Sequence, residues 1–358
     1  MSGNDSNFSL VETLGAYGAA VQRTDVLPAT DTAAVLMGLY GEVGGIMATA
    51  KKRVREPIAF PSDQQAAAQE EFGDALWYFA AYCRRHGVPL ESVFADANDH
   101  RTPSNPRQSL FELGQAAAAL LAEPSEPVVL RGLLVAFAVR YLAALNAAQL
   151  SVAEICDRNI AKTHGAFLAP DISSLPNFDS DFGEEEQIPW QFCIRIDQRS
   201  SGHSYLRWNN VFIGDPLTDN IRDPDDYRFH DVFHCAHAAI LHWSPVFRAL
   251  IKQKRKSVQE YDHAEDGGRA IVVEEGLTAW LFARAKYADY FSDDNRISYG
   301  ILKTIQEFTA GYEVAKCPLA LWRRAIMQGY AVFREIRQHR GGWVVGDRGM
   351  RSLSFRTL

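Results

Sequence analysis

Two segments restrict this chain more than anything else in it. They are Gly38-Leu39-Tyr40-Gly41-Glu42-Val43-Gly44-Gly45 and, some 25 residues on, Glu70-Glu71-Phe72-Gly73-Asp74-Ala75-Leu76-Trp77-Tyr78. Both read as helix. Residues three and four apart share one face of a helix, so Glu71 and Asp74 project together, and Glu42 can join them from a neighbouring helix. Three carboxylates converging between packed helices are costly to bury unless a cation neutralises them. Oxygen-only ligands suit Mg²⁺ or Mn²⁺, and Mg²⁺ commonly combines one or two carboxylates with substrate phosphates. A phosphate-bearing substrate follows from that chemistry. A Glu-x-x-Asp pair alone is ordinarily a solvated helix face, and the third carboxylate is what sets this one apart. Gly41, Gly44 and Gly45 each cost a helix about 0.5–1 kcal/mol relative to Ala, which close helix packing or close ligand approach would explain.

The 358 residues allow two or three domains, and 47% apolar with 23% charged residues is ordinary for a globular protein. A formal charge of −7 gives no strong nucleic-acid signal. The polar stretch Met1 to Asn7 lacks the layout of a signal peptide. Val128 to Leu150 is apolar but interrupted by Arg131, Arg140 and Asn146, so a core helix is expected and no membrane span. Cys83, Cys156, Cys193, Cys235 and Cys317 are scattered singly, which suits a reduced, cytoplasmic protein.

Residues 1 to about 170 show long helical periodicities, broken at Thr102-Pro103-Ser104-Asn105-Pro106. Each side of the break carries a version of one pattern. Both end in Asn-x-x-Arg/Lys, at Asn98 to Arg101 and at Asn159 to Lys162, and Phe111-Glu112-Leu113-Gly114 echoes Gly41-Glu42-Val43-Gly44. The second copy has no counterpart of Glu71 and Asp74, so an internal duplication with one acidic and one emptied half is expected. Asp171 to Gln187 is acidic and reads as an exposed linker. Trp190 to Ile196 and Ser204 to Trp208 alternate around Ser200-Ser201-Gly202 as a hairpin would, and Gly341 to Val345 suggests a last short strand.

At these residues the first half resembles the MazG-type nucleotide pyrophosphohydrolases, an all-α NTP pyrophosphatase superfamily that includes dimeric dUTPases. Glu71-Phe72-Gly73-Asp74 matches the family's Glu-x-x-Asp helix, and Leu76-Trp77-Tyr78 is typical after it. In the family's Glu-Glu-x-x-Glu helix Glu42 fits the second Glu, while Gly41 and Gly45 replace the others. Asn98 and Arg101 match the later Asn-x-x-Lys, with Arg for Lys. The resemblance covers roughly residues 30–101 well and 105–170 faintly, and 188–358 resemble a domain found fused to such proteins. It implies metal-assisted attack of water between the α and β phosphates, with Glu42, Glu71 and Asp74 holding Mg²⁺. Glu70 would orient the water, Lys51 and Lys52 meet phosphate oxygens, and Asn98 with Arg101 contact the substrate. Lys51 and Lys52 read more readily as a solvated helix end than as phosphate ligands, and Asn98 equally as a helix cap. Gly45 stands where a metal-binding Glu is expected, and Gly45→Glu is expected to tighten Mg²⁺ binding.

A second constellation lies at Tyr227-Arg228-Phe229-His230-Asp231-Val232-Phe233-His234-Cys235-Ala236-His237. His230 and His234, one helical turn apart, have the spacing with which two imidazoles grip one transition metal. Glu274 and Glu275, in an apolar helical run, are candidates to complete that shell. Histidines packed against Arg or Glu without a metal are the plainer alternative. The basic run Lys252, Lys254, Arg255 and Lys256 reads as a solvated helix end.

The expected architecture is mainly α: an acidic half at 1–104, an emptied half at 105–170, a linker at 171–187 and an α-rich domain with a small β hairpin at 188–358. The leading expectation is a Mg²⁺-dependent (or Mn²⁺-dependent) nucleoside triphosphate pyrophosphohydrolase, compatible with homo-oligomerisation. A nucleotide-binding sensor, or a hydrolase acting through a transition metal at His230 and His234, are the alternatives.

Overall fold

The computed structural model describes residues 2–55, 61–98, 105–293 and 296–358. The chain is mainly α and divides into two compact units, Met1–His164 and Gly165–Leu358.

Among its described residues the regular secondary structure of the first unit is all helix: α1 (Ser2–Thr24), α2 (Thr32–Arg55), α3 (Pro61–Arg85), α4 (Leu90–Asn98), α5 (Pro106–Leu120), α6 (Pro127–Ala147) and α7 (Val152–Phe167), whose last residues enter the second unit. Proline opens α3, α5 and α6, where its missing N–H is no loss. On α2, Val35, Leu36, Leu39, Val43 and Ile46 are buried, a stripe at helical spacing that packs against α3. The stripe leaves Glu42 on an adjoining, half-buried face. Arg131 and Arg140, which interrupt the apolar α6, pair with Asp96 and Glu112 within the unit. By length and composition alone α2 and α6 are long and apolar enough to cross a membrane. Apart from α1, three described helices lie on each side of the break, but their lengths do not repeat: α2–α4 have 24, 25 and 9 residues and α5–α7 have 15, 21 and 16.

The second unit holds a five-stranded antiparallel sheet, larger than the hairpin and single strand expected from sequence. Its order is β3-β2-β1-β4-β5, with β1 (Gln191–Gln198), β2 (Ser204–Trp208), β3 (Val211–Leu217), β4 (Gly341–Asp347) and β5 (Ser352–Arg356). In β1 the buried Phe192, Ile194 and Ile196 alternate with more accessible residues, and Ile194 lies opposite Trp208 on one side and Val344 on the other. Helix α13 (Leu319–His339) packs on β4 and β5. Around the same core lie α8 (Asp231–Ala236), α9 (Pro245–Ile251), α11 (Gly268–Ala285) and α12 (Tyr299–Phe308), while the short α10 (Gln259–Ala264) buries no residue.

Two charged groups read as solvated are in fact buried. Asp179, in the segment expected to be an exposed linker, is fully enclosed between Arg248 and Arg348, and one of its oxygens accepts from the Ile188 amide at 2.9 Å. Arg255, in the basic run, is also fully enclosed and pairs with Asp266 at 2.7 Å and Glu313 at 2.6 Å. Composition alone cannot distinguish these from surface charges, because the partners come from distant parts of the chain.

Candidate functional site

In the first unit the acidic residues do meet. Burial, together with the nearby Asp74 and Glu71 carboxylates, pushes the Glu42 carboxyl up to about 7, and Glu42 and Glu71 are hydrogen-bonded. A shared proton is what two adjacent carboxylates adopt when no stronger cation lies between them. Oxygen donors from α2 and α3 therefore sit close enough to repel, the circumstance in which a hard divalent cation is stabilising. The residues present fit such an ion.

The far side of Asp74 is closed by α7. Lys162 Nζ donates to Asp74 Oδ2 at 2.5 Å and to Glu70 Oε1 at 2.9 Å, while Asn159 Nδ2 donates to Asp74 Oδ1 at 2.9 Å. Tyr17 OH, from α1, donates to Asn159 Oδ1 at 2.7 Å and so holds the amide with its nitrogen toward Asp74. The Asn-x-x-Lys element against the acidic helices is thus Asn159 and Lys162. The Asn98 side chain and Arg101, to which that role was assigned from sequence, lie outside the described residues. The signal was present, since both copies end in the same pattern, but spacing alone does not choose between them. Lys51 and Lys52 are exposed near the C-terminal end of α2, and no hydrogen bond or ion pair joins them to the acidic cluster among the described residues.

The glycines of α2 differ from one another. Cβ atoms at Gly41 and Gly44 would meet nothing within 4 Å, so close packing does not explain them. A Cβ at Gly45 would fall on Glu71 Oε2. The space left by the carboxylate expected at this position is filled by the Glu71 carboxylate itself, which corrects the view of Gly45 as a simple loss. Gly45→Ala should displace Glu71 while gaining up to about 1 kcal/mol of helix propensity. A displacement near 1 Å costs about 10²-fold in rate. We expect unchanged or higher thermal stability with pyrophosphate release reduced about 10²-fold, and wild-type rates in this variant would contradict the assignment.

Glu42 also sets a pH dependence in the absence of metal. Its carboxyl is raised from an ordinary 4.5 to about 7, so the folded state holds a proton that the unfolded chain has already released. Stability from this group is therefore full below about pH 4.5 and falls as pH rises toward about 7. Glu42→Gln should remove that slope and melt higher than wild type at pH 8 in chelator, with little difference at pH 4. Equal melting temperatures at pH 8 would show that Glu42 is not under this repulsion.

In the second unit a short helical turn, Tyr227–Phe229, leads into α8, which widens into a π-helical turn over His237–Leu241. Such turns are frequent at functional sites. His234 and His237 both reach Glu274 of α11, with Nδ1 to Oε1 distances of 3.0 and 2.8 Å. Glu275 Oε2 lies 3.6 Å from His230 Nε2 and 3.5 Å from His234 Nε2. Burial alone would lower His234, but the two carboxylates outweigh it and push the imidazole up to about 10. Burial conversely would raise Glu274, and the His234 and His237 imidazoles hold it down at about 2. His230, His234, Glu274 and Glu275, expected together from sequence, are together here. His237 and Ser244 join them. Beyond β3, Asp219 pairs with Arg228, in the short turn that leads into α8.

The second unit coincides with a known sequence family. The MazG C-terminal domain model matches residues 173–358, slightly more than half of the chain, and the chain belongs to that family of MazG-like proteins. This relationship associates it with nucleotide pyrophosphatase-like chemistry and divalent-metal dependence. No curated protein and no solved structure matches it.

Proposed function

We propose that the chain is a divalent-metal-dependent nucleoside triphosphate pyrophosphohydrolase acting at the acidic face of its first unit. The observation that carries this reading is the junction of α2, α3 and α7, where Glu42, Glu71 and Asp74 gather against Lys162 and Asn159. The MazG C-terminal match supports it at family level.

Glu42, Glu71 and Asp74 would hold the cation, whose chemistry is to neutralise phosphate oxygens and polarise the phosphorus–oxygen bond. Lys162 pairs with both Glu70 and Asp74, and its positive charge would be available to phosphate oxygens beside them. Glu70, fixed by Lys162, is placed to orient water for attack between the α and β phosphates. That attack releases a nucleoside monophosphate and pyrophosphate. Mg²⁺ and Mn²⁺ both suit an all-oxygen site.

Pyrophosphate release from a panel of ribo- and deoxyribonucleoside triphosphates, with Mg²⁺ or Mn²⁺, tests this. Nucleotide binding without release would instead favour a sensor, a reading supported by the paired state of Lys162. Absence of both binding and release would overturn either reading.

A further inference from the structure

The second unit contains two triangles of histidine and carboxylate that share His234, and they differ in kind. The inner one is saturated. Glu274 accepts from His234 Nδ1 at 3.0 Å, His237 Nδ1 at 2.8 Å, Ser244 Oγ at 2.7 Å and the Val246 amide at 2.9 Å. A carboxylate offers about four lone-pair directions, so Glu274 has none left for an ion.

The outer triangle is not saturated. His234 Nε2 is completely buried and has no hydrogen-bond partner. A buried polar atom in that state is costly and calls for an explanation. Its neighbours are Glu275 Oε2 at 3.5 Å and, across that oxygen, His230 Nε2 at 3.6 Å. These separations are too long for good hydrogen bonds. They are close to the spacing of about 3.4 Å between ligands bound at 2.0–2.1 Å in tetrahedral geometry.

Both imidazoles are also held from behind. His230 Nδ1 is 2.9 Å from the Tyr227 carbonyl, and its ring stacks on the Tyr227 ring at 4.3 Å, 5° from parallel. His234 Nδ1 is held by Glu274. An acceptor on Nδ1 fixes the tautomer and leaves Nε2 for a metal, as in the carboxylate–histidine–metal arrangement.

We infer that His230 Nε2, His234 Nε2 and Glu275 Oε2 form a transition-metal site, in which Glu274 is a positioning residue acting through His234 Nδ1. Two imidazoles and one carboxylate suit Zn²⁺ first, with Fe²⁺, Mn²⁺ and Ni²⁺ as competitors. The Glu275 side chain is 40% exposed and that of His234 is 0% exposed, so a further coordination position opens on the Glu275 side. Water or a substrate oxygen would occupy it. This site stands apart from the nucleotide chemistry proposed for the first unit and does not depend on it.

The test is Co²⁺ and Zn²⁺ titration of the full chain, expressed without a polyhistidine tag and stripped with chelator. One Co²⁺ per chain should bind, with the intense visible absorption of a low-coordinate nitrogen and oxygen site, and Zn²⁺ should displace it. His230→Gln and Glu275→Gln should each abolish that band and weaken Zn²⁺ binding at least about 100-fold. Glu274→Gln should weaken it about 10–100-fold and shift the band, as loss of an orienting carboxylate does. Asp74→Asn should leave it unchanged, which separates this site from the acidic face of the first unit. Melting curves of the metal-free variants show that they remain folded. Absence of a Co²⁺ band in wild type overturns the proposal, and so does equal binding by His230→Gln and Glu275→Gln. Either outcome would leave His234 as an imidazolium locked between two glutamates.

Discussion

Asp74→Asn and Glu71→Gln should each lower pyrophosphate release by about 10²–10³-fold, the usual effect of removing one electrostatic contact to a reacting centre. Each change deletes one negative charge at nearly constant volume. The structural cost is small by comparison. Asp74 and Lys162 have side chains 22% and 20% exposed, and a partly solvated pair of this kind contributes about 1 kcal/mol or less. Asp74→Asn also presents an NH₂ group to either Lys162 or Asn159, since both Asp74 oxygens now accept. Glu71→Gln keeps its place beside Gly45, because the amide occupies the same space. The expected pattern is therefore near-native melting with activity lost in both variants. The loss should appear in single-turnover rates at saturating metal as well as in metal affinity. Wild-type rates in both would place the chemistry elsewhere in the molecule.

The largest effect on stability is expected at Asp179. Its two oxygens accept from Arg248, Arg348 and the Ile188 amide, and the carboxylate and both guanidiniums are essentially inaccessible to water. Removing one partner of a buried ionic group strands the others, typically at about 3–5 kcal/mol. Here two arginines would be stranded. Arg348 also reaches the Ile188 carbonyl and Asn177, and Arg248 the Glu186 carbonyl at 2.8 Å, so residues 177–188 are fastened through the same centre. Asp179→Ala should lower the melting temperature of the second unit by about 10 °C or more, given about 2–4 °C per kcal/mol at this size. Asp179→Asn retains an acceptor for Ile188 and should lose less. A shift under about 3 °C for the alanine variant would show that the cluster admits water or rearranges.

Legibility of the sequence followed the range of the interactions. Glu71 and Asp74 were readable because a three-residue helical spacing is local, and Glu42 because it recurs in a second helix with the same apolar period. Asn159 and Lys162 were visible as a pattern but not as partners of Asp74, because Asn98 and Arg101 satisfy the same spacing. The packing of α7 brings Asn159 and Lys162 to Asp74. His230 and His234 followed from a four-residue spacing, yet the division of labour between Glu274 and Glu275 did not, because adjacent residues differ only in which way the helix turns them. β1, β2 and β4 were anticipated through alternation or a closing apolar run. β3 is an exposed edge strand containing Gly214 and Pro216, so its period-two signal is weak, whereas Ser352–Arg356 of β5 does alternate polar and apolar residues and its signal is missed. Arg255 and Asp179 were misread because burial of a charge depends wholly on distant partners.

The contact between Lys162 and Asp74 joins residues 88 apart in the chain. At a synthesis rate of about 5–20 residues per second, that separation is roughly 4–18 s of translation. Throughout that interval the acidic helices have emerged and the lysine has not. The pocket is consequently finished in the last stretch of the unit to be made, so a prematurely terminated first half would carry the carboxylates without the counter-charge that gathers them.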